Sequence, residues 1–166
     1  MTSSLPRIAI ALGDPAGIGA EVVLKALADE SIATQANFTL FGSSIQLQRT
    51  VDRLPGLANP DRFSLIDLPC GAIEWGVESA ESGEVSFRAL EAAIDRTLAG
   101  EFQGIVTAPI AKSAWKAAGH LYPGQTELLA EKANVDRFGM MFVARSPFTK
   151  WPLRALLATT HIPCDE

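Results

Sequence analysis

A chain of 166 residues with 48% hydrophobic residues and a mean hydropathy of +0.17 can bury a core of its own, as one domain or one domain and the start of another. Its net charge of -5, a pI near 5.1 and the lack of any basic patch with interleaved aromatics argue against nucleic acid as a partner. Two distant cysteines, Cys70 and Cys164, make no disulfide framework, and no apolar run approaches a membrane span, so a reducing cytoplasm is the expected setting.

Apolar runs and helical periods alternate along the chain. Residues 8–12 form a short apolar run stopped by Gly13, read as a buried strand. Residues 20–29 carry Val22, Val23, Ala26 and Leu27 on one helical face. A second strand at 38–41 closes at Gly42, a helix at 45–54 ends before Pro55, and 63–68 reads as a third strand. Residues 70–82 show no period and read as an excursion or exposed hairpin, with Trp75 covering an edge.

The clearest helix runs over 84–99. Phe87, Leu90, Ile94 and Leu98 form its apolar face, and Gly100 stops it. A strand at 104–107, short helices at 111–118 and 126–133, and strands at 140–144 and 153–159 complete the chain. The alternation predicts an α/β fold with a mostly parallel sheet flanked by helices.

Four stretches could carry chemistry. Gly13-Asp14-Pro15-Ala16-Gly17-Ile18-Gly19 joins a strand to a helix and allows close backbone approach to a ligand. It has neither dinucleotide nor Walker A spacing, and the Asp14 carboxylate would repel an anion. On residues alone, Asp14 as a helix cap followed by Pro15 is the better reading.

Val106-Thr107-Ala108-Pro109-Ile110-Ala111-Lys112 brings a lysine just past a strand end. It suits a phosphate, or merely solvent. Pro123-Gly124-Gln125-Thr126-Glu127 is either a ligand-binding corner or a plain helix start. Thr159-Thr160-His161 places an imidazole where α/β sheets bind ligands, yet a metal site needs further ligands. His120, beside Gly119, reads as a surface residue.

In this order, Gly13 to Gly19, Gly104 to Lys112, Gly124-Gln125-Thr126-Glu127 and Ala158-Thr159-Thr160-His161-Ile162-Pro163 resemble the 4-hydroxythreonine-4-phosphate dehydrogenase family (PdxA) of vitamin B6 biosynthesis. The resemblance implies a fold like that of the isocitrate and isopropylmalate dehydrogenases: two α/β/α lobes around a cleft, in a homodimer. It implies a small phosphorylated substrate, 4-phosphooxy-L-threonine, oxidised at its secondary alcohol by NAD(P)+. A divalent metal (Zn, Mg or Co) is implied at the dimer interface. Loss of CO2 then gives 3-amino-2-oxopropyl phosphate. A metal on the alcohol would lower its pKa and stabilise the enolate left by decarboxylation.

Carried over by position, His161 matches a metal-binding histidine and Thr126 a substrate-binding threonine. Gln125 stands where the family pattern has a histidine, and an amide cannot carry a proton or charge at neutral pH. Lys112 and Asp14 match motif positions and are assigned to the substrate cleft. Family members run to about twice this length, beyond one typical domain. The chain therefore reads as an N-terminal half, with residues 1–120 as a first lobe and 121–166 opening a second. The other two metal histidines are expected beyond it, and the chain alone is expected to be inactive. The alternatives are a related dihydrodiol dehydrogenase of aromatic catabolism and an inactive module that dimerises or binds ligand. A phosphotransacetylase-like acyltransferase is weaker, since no motif suggests coenzyme A.

Overall fold

A computed structural model describes residues 4–158. Four strands form one parallel sheet: β1 (Arg7–Ala11), β2 (Asn37–Gly42), β3 (Ser64–Asp67) and β4 (Gly104–Thr107), in the order β3-β2-β1-β4. Helices α1 (Gly19–Leu27), α2 (Glu30–Ala33), α3 (Ser44–Arg53), α4 (Ala80–Leu98), α5 (Lys112–Ala117) and α6 (Gln125–Lys132) complete the order up to the last two strands. The expected α/β class, with a parallel sheet flanked by helices, is what forms.

Strand alternation builds two core layers. Ile10 and Leu40 face α1 and α3, meeting Val23, Leu24, Leu27 and Leu47. Ala9 and Phe41 face the other way, onto Val85, Ala89 and Ala93 of α4 and onto Phe102. Both sheet faces are thus covered, which explains the continuous apolar runs.

The face of α1 is rotated from the one its period suggested. Leu24 is fully buried, whereas Val22 is 46% exposed and Ala26 is also exposed. Leu98, placed on the apolar face of α4, is likewise exposed. The other three residues of that face, Phe87, Leu90 and Ile94, are buried as expected, and Val85, Ala89 and Ala93 widen it, because α4 packs on the sheet and on α5 at once. Its start lies at Ala80, inside the stretch that showed no period. Ser79 and Ser82 form a reciprocal capping box there, with Ser in place of the usual acidic or amide partner. The remainder of that stretch wraps α3: Gln46 and Arg49 both donate to the Ile73 carbonyl, and the guanidiniums of Arg49 and Arg53 lie 4.5 and 4.7 Å from the Trp75 ring.

Two compact units divide between Leu129 and Ala130. Residues 121–129 belong with the first because Tyr122 and Leu128 pack in the cluster of Phe87 and Trp115. The parting of the units therefore falls beyond residue 120, where punctuation by Gly and Pro had placed a lobe boundary.

The second unit contains β5 (Met141–Arg145) and β6 (Pro152–Leu156), an antiparallel pair with Val143 opposite Arg154. The strand leading toward His161 is therefore a hairpin arm and not a member of the parallel sheet. The link between its strands is too short for a parallel crossover. Instead the Ser146 amide donates to the Trp151 carbonyl, and Lys150 turns the chain at φ 61°. Both arms are rich in exposed apolar side chains, among them Phe142, Val143 and Leu156.

Candidate active site

All four sheet strands point their carboxyl ends the same way, and the first two motifs leave from adjacent ends. After β1, the backbone N–H of Asp14 donates to the Pro109 carbonyl at 3.0 Å. This contact needs a glycine beside it: Gly13 has φ +72°, and a Cβ there would lie 2.1 Å from the Pro109 oxygen. Gly19 is similarly constrained, since its Cβ would sit 2.0 Å from the Leu12 oxygen.

Asp14 is buried, and its Oδ1 accepts from the Ala16 N–H at 2.8 Å. It caps the turn at residues 15–18 and not α1, whose flanking residue Ile18 makes no side-chain cap. Its local structural role is real. It also lines a cavity of about 240 Å³ together with Gly17, Gly76, Glu78, Pro109 and Ile110.

The third motif reaches the same corner from α6. Gln125 Nε2 donates to the Ala108 carbonyl at 3.1 Å, so this amide stitches α6 to the end of β4. Lys112 opens α5 and is exposed. A Cβ at Gly124 would lie 3.9 Å from Lys112 Nζ and 3.3 Å from Glu127 Oε2, which places Gly124 close beside both side-chain ends. Thr126 lies half-buried in the first turn of α6. The structure thus gathers the loops bearing Asp14, Lys112, Gln125 and Thr126. His161 lies outside the described residues, as do Thr159 and Thr160.

Among the described residues, no group of three His, Cys, Asp or Glu side chains is placed to hold a metal ion. Among the described residues no helix is long and apolar enough to cross a membrane.

Behind the corner stands an aromatic wall that sequence reading missed. Trp115 is fully buried and donates through Nε1 to Ser86 Oγ at 2.9 Å. Its ring meets Phe87 edge-on at 5.3 Å. His120, expected at the surface, is instead half-buried against Phe87, with ring centroids 3.5 Å apart and planes within 3°. Helix α4 comes close enough for this because Gly83 has no side chain: a Cβ there would lie 2.0 Å from the Ala114 oxygen. A glycine inside a strong helix was the available signal.

Comparison with known proteins identifies the lineage. The model of the family described as pyridoxal phosphate biosynthetic protein PdxA matches residues 15–166. The chain belongs to the PdxA family. A 4-hydroxythreonine-4-phosphate dehydrogenase of Synechocystis is 56% identical, with 98% of this chain and 49% of that protein covered. A putative D-threonate 4-phosphate dehydrogenase of Oceanobacillus iheyensis is 34% identical over 96% of this chain and 51% of its own length. The crystal structure of a 4-hydroxythreonine-4-phosphate dehydrogenase from Burkholderia phymatum superposes with a TM-score of 0.82 at 34% identity, over 97% of this chain and 52% of that one. The chain spans about half the length of the curated PdxA relatives it matches.

Proposed function

We propose that this PdxA chain provides the substrate-binding half of an NAD(P)-dependent, divalent-metal-dependent dehydrogenase acting on 4-phosphooxy-L-threonine in pyridoxal phosphate biosynthesis. The observation that carries the reading is the convergence of three motif loops at the carboxyl ends of β1 and β4, the edge where open α/β sheets bind ligands. The names of the relatives support a phosphorylated four-carbon hydroxy acid as substrate.

Each loop has a role in this proposal. The Lys112 ammonium holds the phosphate as a point charge. The Thr126 hydroxyl bonds a substrate oxygen. Gln125 shapes the corner through Ala108 and contributes no charge. Asp14 fixes the glycine loop that walls the cavity. NAD(P)+ takes the hydride when bound. His161 is the proposed contribution of this chain to the metal, whose other ligands come from elsewhere in the assembled enzyme.

The enzyme is proposed to work as a homodimer, joined through the β5–β6 hairpin. A lone two-stranded ribbon is marginal in water, and its Met141, Phe142, Val143 and Leu156 are more than half exposed. Val106 of β4, the edge strand of the sheet, and Val22 of α1 are also exposed and line an apolar groove. A surface of this kind suits further polypeptide of the same enzyme.

The test combines this chain with the remaining half of the Synechocystis relative, in a complex verified by co-purification. NAD(P)H formation from 4-phosphooxy-L-threonine with added divalent metal is expected. Turnover confined to a dihydrodiol, or to D-threonate 4-phosphate, would overturn the substrate assignment.

A further inference from the structure

The loop that carries Gly124, Gln125 and Thr126 to the site is held at two points, and only one of them belongs to a recognised motif. At its far end Gln125 is bonded to Ala108. At its near end stands His120. Gly119, at φ +94°, turns the chain out of α5, and the His120 N–H closes that turn on the Trp115 carbonyl at 2.9 Å. The His120 ring then lies flat on Phe87, and its Nε2 is 2.7 Å from Glu84 Oε2. Phe87 and Glu84 both belong to α4, 19 residues long and packed on the sheet.

Stacking alone would leave the imidazole free to slide across the phenyl face. The bond to Glu84 fixes its direction in the plane. Tyr122 stacks on Phe87 as well, with centroids 5.8 Å apart, while Leu121 between them is 78% exposed. Pro123, with its restricted φ, follows directly, and then Gly124. Few free torsions therefore separate the clamp from the point where Gly124 lies against Lys112 and Glu127. A second bond, between Ser113 Oγ and Glu78 Oε2, joins α5 to the residues just before α4 in the same way.

We infer that His120 is a positioning residue for substrate binding, which through Glu84 and Phe87 of α4 sets the Gly124–Thr126 corner against Lys112. The inference rests on the proposed role of that corner in holding a phosphorylated substrate. Bulk packing would require only an apolar ring at position 120. The clamp requires the ring and its bond together, so phenylalanine is a discriminating replacement.

The experiment uses backbone amide spectra and hydrogen exchange of the 166-residue chain and its variants H120F, H120N and E84Q. H120F keeps the stack and loses the bond to Glu84. H120N loses the stack. E84Q keeps a neutral acceptor for the ring. In H120F and H120N, the amides of Gly124, Gln125 and Thr126 are expected to shift and to exchange roughly ten times faster, with those of β1 and β2 unchanged. E84Q is expected to stay close to the parent. An unmoved corner in H120F and H120N, with a lowered melting temperature, would reduce His120 to packing and overturn the inference.

Inorganic phosphate serves as the probe in a second arm. It is expected to perturb Lys112, Gln125 and Thr126 in the parent, and to bind more weakly in H120F. Equal phosphate binding in H120F would overturn the inference even if the corner moved. No phosphate effect in the parent, with the corner still displaced in H120F, would instead count against Lys112 and its neighbours as the phosphate site while leaving the clamp standing.

Discussion

The amide of Asp14 donates to the carbonyl of Pro109 at 3.0 Å, which joins the glycine loop after β1 to the loop after β4. Neither loop contains a long-range partner readable from its own residues. The bond exists because Gly13 takes a left-handed φ of +72° that clears the Pro109 oxygen. Gly13→Ala forces both a strained φ and a contact of 2.1 Å with that oxygen. The expected cost is about 2–4 kcal/mol, measured by denaturant unfolding. A variant as stable as the parent would show that this junction is loose.

Asp14 itself separates into a capping role and a ligand role by substitution. Asp14→Asn keeps an oxygen for the Ala16 N–H, whereas Asp14→Ala removes it. The alanine variant is expected to lose about 1 kcal/mol and the asparagine variant clearly less. If both lost the same amount, the turn would not depend on that bond. Substrate affinity of the asparagine variant then reports on the carboxylate charge alone.

The aromatic wall is expected to dominate stability on the α5 side. Trp115→Phe removes the bond to Ser86 and leaves a void beside Phe87. A loss of about 2 kcal/mol follows from the lost packing and the unpaired buried hydroxyl. Thermal unfolding of the variant checks this, and an unchanged midpoint would contradict it.

A pH effect is expected far from the site. The Arg62 guanidinium bonds Glu30 at 2.8 Å and holds that carboxyl below its usual 4.5, through the hydrogen bond first and charge attraction second. A lowered folded pKa means that the pair stabilises above the unfolded value and ceases to as pH falls through the depressed one. Both groups are exposed, so the effect is small and screened by salt. The melting difference between the parent and Arg62→Gln should be present at neutral pH and vanish in acid. A difference that persisted in acid would remove the ion pair as its source.

Self-association gives a separate test of the hairpin. Val143→Asp puts a charge on an arm where Val143 is 63% exposed in the single chain. If the hairpin joins two copies, this variant should weaken dimerisation at least about tenfold in sedimentation, with the first unit still folded. Equal association of parent and variant would move the interface elsewhere.

Much of the fold was legible because apolar runs ended at residues that cannot continue them. Gly13, Gly42 and Pro109 stand at or just past the ends of β1, β2 and β4, and Gly100 follows α4. Period alone failed on α1, where Leu24 and not Val22 is buried, because the face is chosen by the sheet. It failed on the start of α4, where a serine pair replaces the usual capping signal. In the site, the motif loops were visible, but their junctions were not. The partner of His120 lies 36 residues away, and the two meet only because Gly83 lets α4 and α5 touch.

Substrate mapping on this chain decides whether the loops after β1 and β4 hold a phosphorylated ligand. Addition of 4-phosphooxy-L-threonine should perturb the amides of Lys112, Gln125 and Thr126, and Lys112→Met should weaken that binding about tenfold or more. Perturbations confined to other surfaces, or binding indifferent to Lys112, would contradict a substrate site at the carboxyl ends of β1 and β4.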